Sequence, residues 1–248
     1  MQTFAGKTVF ITGSRRGIGR ALVKAFAEHG ADIIAHARCE SPEFEQDMAD
    51  EAARCHVSIR PLYFDLGDTE AMKQSVKGLL KEVTPNVLVN NAAAIQDETL
   101  FLLTPLKKIH QVFEINLFAQ MQLTQLILKP MLARKTGNII NMASLLGLDM
   151  KPGTSAYGTS KAALIAWTQV LAAEVGTSGI RVNAIAPGLL DTDGGAVMKS
   201  QPREAMLAAS AMHRLGTPEE IAGIAVFLAS DAASFVNGEI IRADGGKL

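Results

Sequence analysis

Seven short apolar runs, regularly separated by amphipathic stretches, set the organisation of this chain. The runs fall at Lys7–Thr12, Ala31–Ala37, Ile59–Phe64, Asn86–Asn90, Gly137–Met142, Arg181–Ile185 and around Glu239–Arg242. Ile18–His29 carries Ile18, Leu22, Val23 and Phe26 at helical spacing. Pro42–Arg54, Asp68–Glu82, Pro105–Arg134 and Ser155–Val175 read as further helices, and Thr217-Pro218-Glu219-Glu220 has the N-cap and third-residue glutamate of a capping box. Strands this continuously apolar need cover on both faces, and their alternation with helices predicts one doubly wound parallel α/β sheet. A length of 248 residues admits one or two domains. No Pro/Ser-rich linker, charge run or internal repeat divides it, so a single domain spanning 1–248 is expected.

Composition excludes several classes. Lys and Arg number 24 against 25 Asp and Glu, so the basic excess typical of a nucleic-acid binder is missing. Apolar stretches such as Ile221–Ala229 fall short of the roughly 20 residues that cross a bilayer. The first residues lack the pattern of a secretory leader, and the expected location is the cytoplasm. His36, Cys39, Cys55 and His56 form the one metal-like grouping, but their spacing does not match paired structural zinc ligands. Cys55 and His56, if on a strand, would also face opposite ways. Free thiols of a reducing compartment and no metal are expected.

The first strand runs into Thr12-Gly13-Ser14-Arg15-Arg16-Gly17-Ile18-Gly19. Glycines at these positions allow a tight turn, close approach of a phosphate and close packing of the next helix, whose N-terminal amides attract a pyrophosphate. The second strand ends at Ala37-Arg38, where an NAD site ordinarily has an acidic residue for the ribose hydroxyls. Arg38, with Arg16 and secondarily Arg15 in the glycine loop, suits a 2′-phosphate, so NADPH is expected over NADH.

Ser144 lies just past the fifth run, at the strand end where open α/β sheets bind ligands. Tyr157 and Lys161 follow at i,i+4 on one helical face. A free tyrosine has a pKa of about 10, and a neighbouring ammonium favours its phenolate. Ser144 can stabilise oxyanion charge on a reacting carbonyl.

Together these residues resemble the short-chain dehydrogenase/reductase family over nearly the whole chain. The glycine loop, Asn90-Asn91-Ala92, Ser144, Tyr157-x3-Lys161, Pro187-Gly188 and Asp244-Gly245-Gly246 occur in the family's order. The resemblance implies that Asn116, Ser144, Tyr157 and Lys161 are catalytic, with Asn116 maintaining a proton relay through water. It implies that Asp65 and Leu66 meet the adenine, that Asn91, Ala92, Pro187, Gly188 and Leu190 line the cofactor, and that Thr192 contacts the nicotinamide carboxamide. Hydride from NADPH would reduce a carbonyl polarised by Ser144 and protonated by Tyr157, with Lys161 lowering the tyrosine pKa and binding the ribose.

Within the family the chain is most similar to 3-oxoacyl-[acyl-carrier-protein] reductases, through Gly216-Thr217-Pro218-Glu219-Glu220-Ile221-Ala222 and the closing Asp-Gly-Gly. A 3-oxoacyl thioester, possibly on acyl carrier protein, is the expected substrate. The alternative is a small ketone, sugar or steroid alcohol, and a remoter one is a non-catalytic NADP-binding regulator. Ala93 departs from the usual NNAG, and Ala173 stands where carrier-protein reductases have a docking arginine. Lys129, Arg134 and Lys135 are either a remaining basic patch for an acidic partner or a solvated helix end. Leu189–His213, with Gly194-Gly195, Met198, Met206 and Met212, is read as a substrate lid or as packing against a neighbouring subunit. Trp167 is read as core or subunit interface, and the resemblance implies a homotetramer.

Overall fold

The computed structural model describes residues 3–95, 98–191, 207–208 and 210–246. Its strands are β1 (Thr8–Ile11), β2 (Asp32–Ala37), β3 (Ile59–Tyr63), β4 (Val87–Asn90), β5 (Gly137–Met142), β6 (Ile180–Pro187) and β7 (Ile240–Ala243). Its helices are α1 (Gly17–Glu28), α2 (Pro42–Cys55), α3 (Thr69–Leu79), α4 (Leu106–Phe113), α5 (Ala119–Arg134), α6 (Tyr157–Val175) and α7 (Pro218–Ala229). All seven strands pair in parallel in the order β3-β2-β1-β4-β5-β6-β7. The order reverses between β1 and β4, so the chain leaves these neighbours in opposite directions and opens a crevice at their C-terminal ends.

Every residue of β1 and β4 is buried, which is why these segments lack polar alternation. One face of the sheet packs Leu22, Phe26, Met48, Ile221 and Leu228 against Val9, Ile11 and Ile185. The other packs Met72, Leu123, Ile127 and Leu171 against Phe10, Leu88 and Ile139. Trp167 lies against this second core, in keeping with one of its two expected places. Among the described residues no helix is long and apolar enough to cross a membrane.

Helix starts follow local chemistry. Ser41 accepts from the Phe44 amide at α2, Asp68 accepts from Glu70 and Ala71 at α3, and Thr217 with Glu220 closes the expected capping box at α7.

Two expectations need correction. The stretch 105–134 is not one helix, because a π-helical turn at Glu114–Phe118 separates α4 from α5. Hydrophobic spacing alone does not register that one-residue change of hydrogen-bond step. Cys55 and His56 are not on a strand: Cys55 ends α2 and His56 caps it with φ +55°.

Candidate active site

Three loops at the C-terminal edge of the sheet meet around β1, β4 and β5. The first is the glycine turn. Gly19 is indispensable in it, since a Cβ there would stand 1.9 Å from the Gly13 carbonyl oxygen. α1 differs from α2, α3 and α7 in having no side-chain cap, for its N-cap is Arg16 and a guanidinium has no acceptor to offer. Its first amides therefore remain open to an anion. Above Gly17 (φ +54°) a Cβ would meet nothing within 4 Å, and Arg15 and Arg16 are exposed beside it. A bound pyrophosphate fits this open, basic, uncapped turn.

Thr12 ties the turn to the second loop, a link that its sequence motif did not announce. Its hydroxyl accepts from the Asn91 and Ala92 amides at 2.9 and 3.0 Å, and Asn91 Nδ2 returns to the Thr12 and Gly13 carbonyls at 2.8 and 3.2 Å. The Asn91 side chain is thus occupied in bracing the turn. Buried Gln120 donates to the Ala92 carbonyl at 2.7 Å, fixing the loop from below. Ala93 is exposed, so its methyl group projects from the same loop.

At the sheet's outer end Arg38 Nε lies 2.9 Å from Asp65 Oδ2. The two share a groove with Gly67, Val112 and Ile115. Ala37 and Leu66, both expected at the cofactor, turn their side chains into buried surroundings. Leu66 packs with Phe10, Ile34 and Met72, so any contact it makes with an adenine falls to its main chain.

The third loop carries Ser144, which begins a 3₁₀ turn and accepts from the Leu146 amide at 3.2 Å. The turn lies close on α6 because residue 147 is glycine; a Cβ there would stand 2.8 Å from the Lys161 carbonyl carbon. Tyr157 is the first residue of α6, and its phenol faces the Ser144 side chain, which favours the phenolate. Lys161, fully buried, donates from Nζ to the Met142 carbonyl at 2.6 Å and lies 5.8 Å from the Tyr157 ring centre. Burial lowers the Lys161 pKa to about 7.

The tyrosine behaves differently from expectation. Burial raises its pKa, the Ser144 side chain opposes that, and the lysine charge is not among the causes. Desolvation wins because the Lys161 head group is turned to Met142 rather than to the phenol oxygen. The phenol is held as a proton donor.

Asn116 sits in the π-turn, wholly buried. Its Oδ1 accepts from the Ala94 amide at 2.7 Å, and its Nδ2 donates to the Ala94 carbonyl at 3.0 Å and to Ser160 Oγ at 3.1 Å. Ser160 then donates to the Tyr157 carbonyl at 2.7 Å. The turn thus couples the loop after β4 to α6, and Ser160 is a link that spacing did not single out.

β6 ends at Pro187, and the Gly188 amide donates to the Ala243 carbonyl at 2.8 Å. Leu190 bridges Gly216. Thr192 and most of 189–213 lie outside the described residues. Of that segment, Ala211 and Met212 donate to the Gly246 and Gly245 carbonyls.

The cysteines and histidines of the metal-like grouping do not form a metal site, and the basic group lies away from the serine. Cys39 is exposed, Cys55 donates to Glu51, and both ring nitrogens of His36 are engaged by main chain. Among the described residues no three His, Cys, Asp or Glu side chains are grouped to hold a metal ion. Arg134 and Lys135 immediately precede β5, at the opposite end of that strand from Ser144, and Arg134 donates to the Thr84 and Pro85 carbonyls. A partner docked there would be roughly 20 Å from the serine, the length of a six-residue strand. The helix-end reading of this basic group fits better.

The model of the enoyl-(acyl carrier protein) reductase family matches residues 13–247. The 3-oxoacyl-[acyl-carrier-protein] reductase of Thermotoga maritima is 34% identical over 97% of both chains. That of Chlamydia muridarum is 33% identical over 97% of this chain and 96% of the relative. A 3-oxoacyl (acyl-carrier-protein) reductase from Agrobacterium tumefaciens C58, solved with NADP bound, superposes with a TM-score of 0.91 at 30% identity, covering 99% and 95% of the two chains. A Beutenbergia cavernae structure with bound NADP, named as an NAD(P) dependent gluconate 5-dehydrogenase, does so at 0.91 and 34%, covering 98% and 97%. With this match to both its length and its parallel sheet, the chain belongs to the short-chain dehydrogenase/reductase family.

Proposed function

We propose that this protein is an NADPH-dependent carbonyl reductase acting on a 3-oxoacyl thioester. The observation that carries the reaction type is the Tyr157 phenol facing Ser144 beside buried Lys161, at the sheet edge that also holds the uncapped α1 turn. NADPH supplies the hydride when bound. The Gly13–Gly19 turn holds its pyrophosphate, Arg38 with Arg16 and Arg15 its 2′-phosphate, and Asp65 its adenine. Asn91, Ala92, Pro187, Gly188, Leu190 and Thr192 flank the remainder.

Ser144 donates to the substrate carbonyl oxygen and stabilises the charge that develops there. Tyr157, kept protonated by burial, passes its proton to that oxygen. Lys161 sits close enough to offset phenolate charge once the proton has left and to hold the nicotinamide ribose. Asn116 keeps the catalytic helix and the loop after β4 in register, and a proton can be replenished from solvent along this side.

Apolar surroundings favour an acyl substrate. Leu145, Leu146, Leu148 and Met150 lie in the segment that follows Ser144, and Met150 is exposed there. Two nearby cations are already neutralised, Lys151 by Glu98 and Arg242 by Asp149, each at 2.8 Å. A sugar acid would need a free cation for its carboxylate. The gluconate 5-dehydrogenase likeness nonetheless keeps a sugar-acid reductase as the second reading. The proposal includes one domain over 1–248, a lid at 189–213, a homotetramer and a cytoplasmic location. The test is NADPH consumption with acetoacetyl thioesters, simple ketones, quinones and keto-sugar acids, repeated with NADH. Turnover of the thioester with NADPH is expected; turnover confined to keto-sugar acids would replace the first reading with the second.

A further inference from the structure

His36 belongs to none of the roles above, yet both of its ring nitrogens and its carbonyl are bonded at the cofactor edge. It is fully inside β2, 2% exposed, one residue before Ala37. Two successive amides of the glycine turn end on it: Gly13 N–H donates to His36 Nδ1 at 3.3 Å, and Ser14 N–H donates to the His36 carbonyl at 2.8 Å. On its other side His36 Nε2 stands 2.9 Å from the Phe64 carbonyl, the residue before Asp65. The imidazole also stacks on the Phe64 ring, with centroids 4.1 Å apart.

These partners fix the tautomer. An amide N–H can donate only to an unprotonated nitrogen, so Nδ1 is the acceptor and Nε2 carries the hydrogen given to Phe64. The ring is neutral, and burial holds its pKa down to about 4, while the Phe64 carbonyl and the Asp65 charge pull the other way.

We propose that His36 is a positioning residue for NADPH, fixing the pyrophosphate turn relative to the Arg38–Asp65 edge. The inference rests on the cofactor reading above. It follows from which pieces the ring joins: the turn that receives the pyrophosphate on Nδ1 and the strand end that presents Asp65 on Nε2. A pyrophosphate and an adenosine are covalently one molecule, so the spacing between their two protein sites must be held. The two ring nitrogens of His36 make that link directly.

The test is NADPH and NADH affinity of the protein without substrate, by fluorescence titration. His36→Phe keeps an aromatic ring against Phe64 and removes both hydrogen bonds. With two modest hydrogen bonds gone, its NADPH dissociation constant should rise about tenfold. NADH should weaken by a similar factor, because the turn serves both cofactors, and turnover at saturating NADPH should hold within about twofold. His36→Asn restores an acceptor near the Nδ1 position and should recover much of the affinity. Faster Gly13 amide hydrogen exchange in His36→Phe but not in His36→Asn would mark the turn as the route, and it can be read even where a variant is less stable. Unchanged affinity in folded His36→Phe, or equal losses in Phe and Asn variants, overturns the inference. A wild-type chain that binds neither cofactor would instead remove the reading on which it stands.

Discussion

Arg38 Nε and Asp65 Oδ2, 2.9 Å apart, join the end of β2 to the loop after β3. Nε is committed to the carboxylate, which leaves the two terminal nitrogens of the guanidinium to face solvent; the residue is 82% exposed in its side chain. That is the half of the fork suited to a bidentate phosphate. Arg38→Asp should therefore weaken NADPH by at least about tenfold and move preference towards NADH, as an attractive charge becomes a repulsive one. Asp65→Asn should have a smaller effect in the same direction, about two- to fivefold, because an exposed ion pair orients more than it stabilises. Dissociation constants for the two cofactors give the ratio directly, and an unchanged ratio in Arg38→Asp would sink the assignment of the 2′-phosphate.

Tyr157 and Ser144 divide the work at the substrate oxygen. Tyr157→Phe removes one oxygen and keeps the ring that packs near Lys161. Turnover should fall by roughly 10²–10⁴, the range for loss of a positioned general acid, while NADPH affinity stays within about threefold. Ser144→Ala should cost roughly 10²–10³ in turnover through the lost oxyanion donor. Single-turnover rates at saturating NADPH separate these losses from binding. A Tyr157→Phe enzyme with near wild-type turnover would transfer the proton-donor role elsewhere.

Lys161 should titrate near neutrality in the free protein. Its burial, with one carbonyl as hydrogen-bond partner, lowers the pKa to about 7. Below that value the ammonium is charged; above it the amine is neutral and its help to a departing proton on Tyr157 fades. Carbonyl reduction should accordingly decline as pH rises through about 7. Lysine side-chain NMR on the isotopically labelled protein checks the titration itself. One resonance with a midpoint near 7, missing in Lys161→Met, is expected; midpoints confined to the ordinary lysine range would refute the shift.

Much of this architecture was legible because β-strands covered on both faces must be apolar throughout, and Val87–Asn90 or Gly137–Met142 are distinctive on that ground alone. The Tyr157–Lys161 pairing was legible for a similar reason, a fixed helical spacing. What escaped was tertiary. Nothing in residues 105–134 marks where the hydrogen-bond step widens, because Glu114–Phe118 contains no glycine or proline and only the approach of Ala94 and Ser160 to Asn116 gives the turn its purpose. Thr12 and His36 act through partners 77 or more and 22 or more residues away, respectively, contacts that no local spacing encodes. The raised Tyr157 pKa also depends on depth of burial and on where the lysine head group points, neither of which a four-residue spacing specifies.

The same His36 makes the fold measurably sensitive to acid. Its pKa is about 4 in the folded chain and 6.5 in an unperturbed histidine, with burial as the principal cause. Between those values the unfolded chain binds a proton that the folded chain does not, so stability rises with pH across this window and falls as pH drops from about 6.5 to about 4. The full swing amounts to about 3 kcal/mol, or up to about 1.4 kcal/mol per pH unit in the middle of the window. The Asp65 charge facing the ring favours the imidazolium and so opposes the effect of burial. Urea unfolding of wild type and His36→Asn at pH 7, 6, 5 and 4.5 isolates the histidine, since the other groups are common to both. The variant should be the less stable at pH 7 and lose stability less steeply on acidification, so that the two curves converge. Parallel curves from pH 6.5 to 4.5 would show that the folded chain protonates this imidazole as readily as the unfolded one and would refute the lowered pKa.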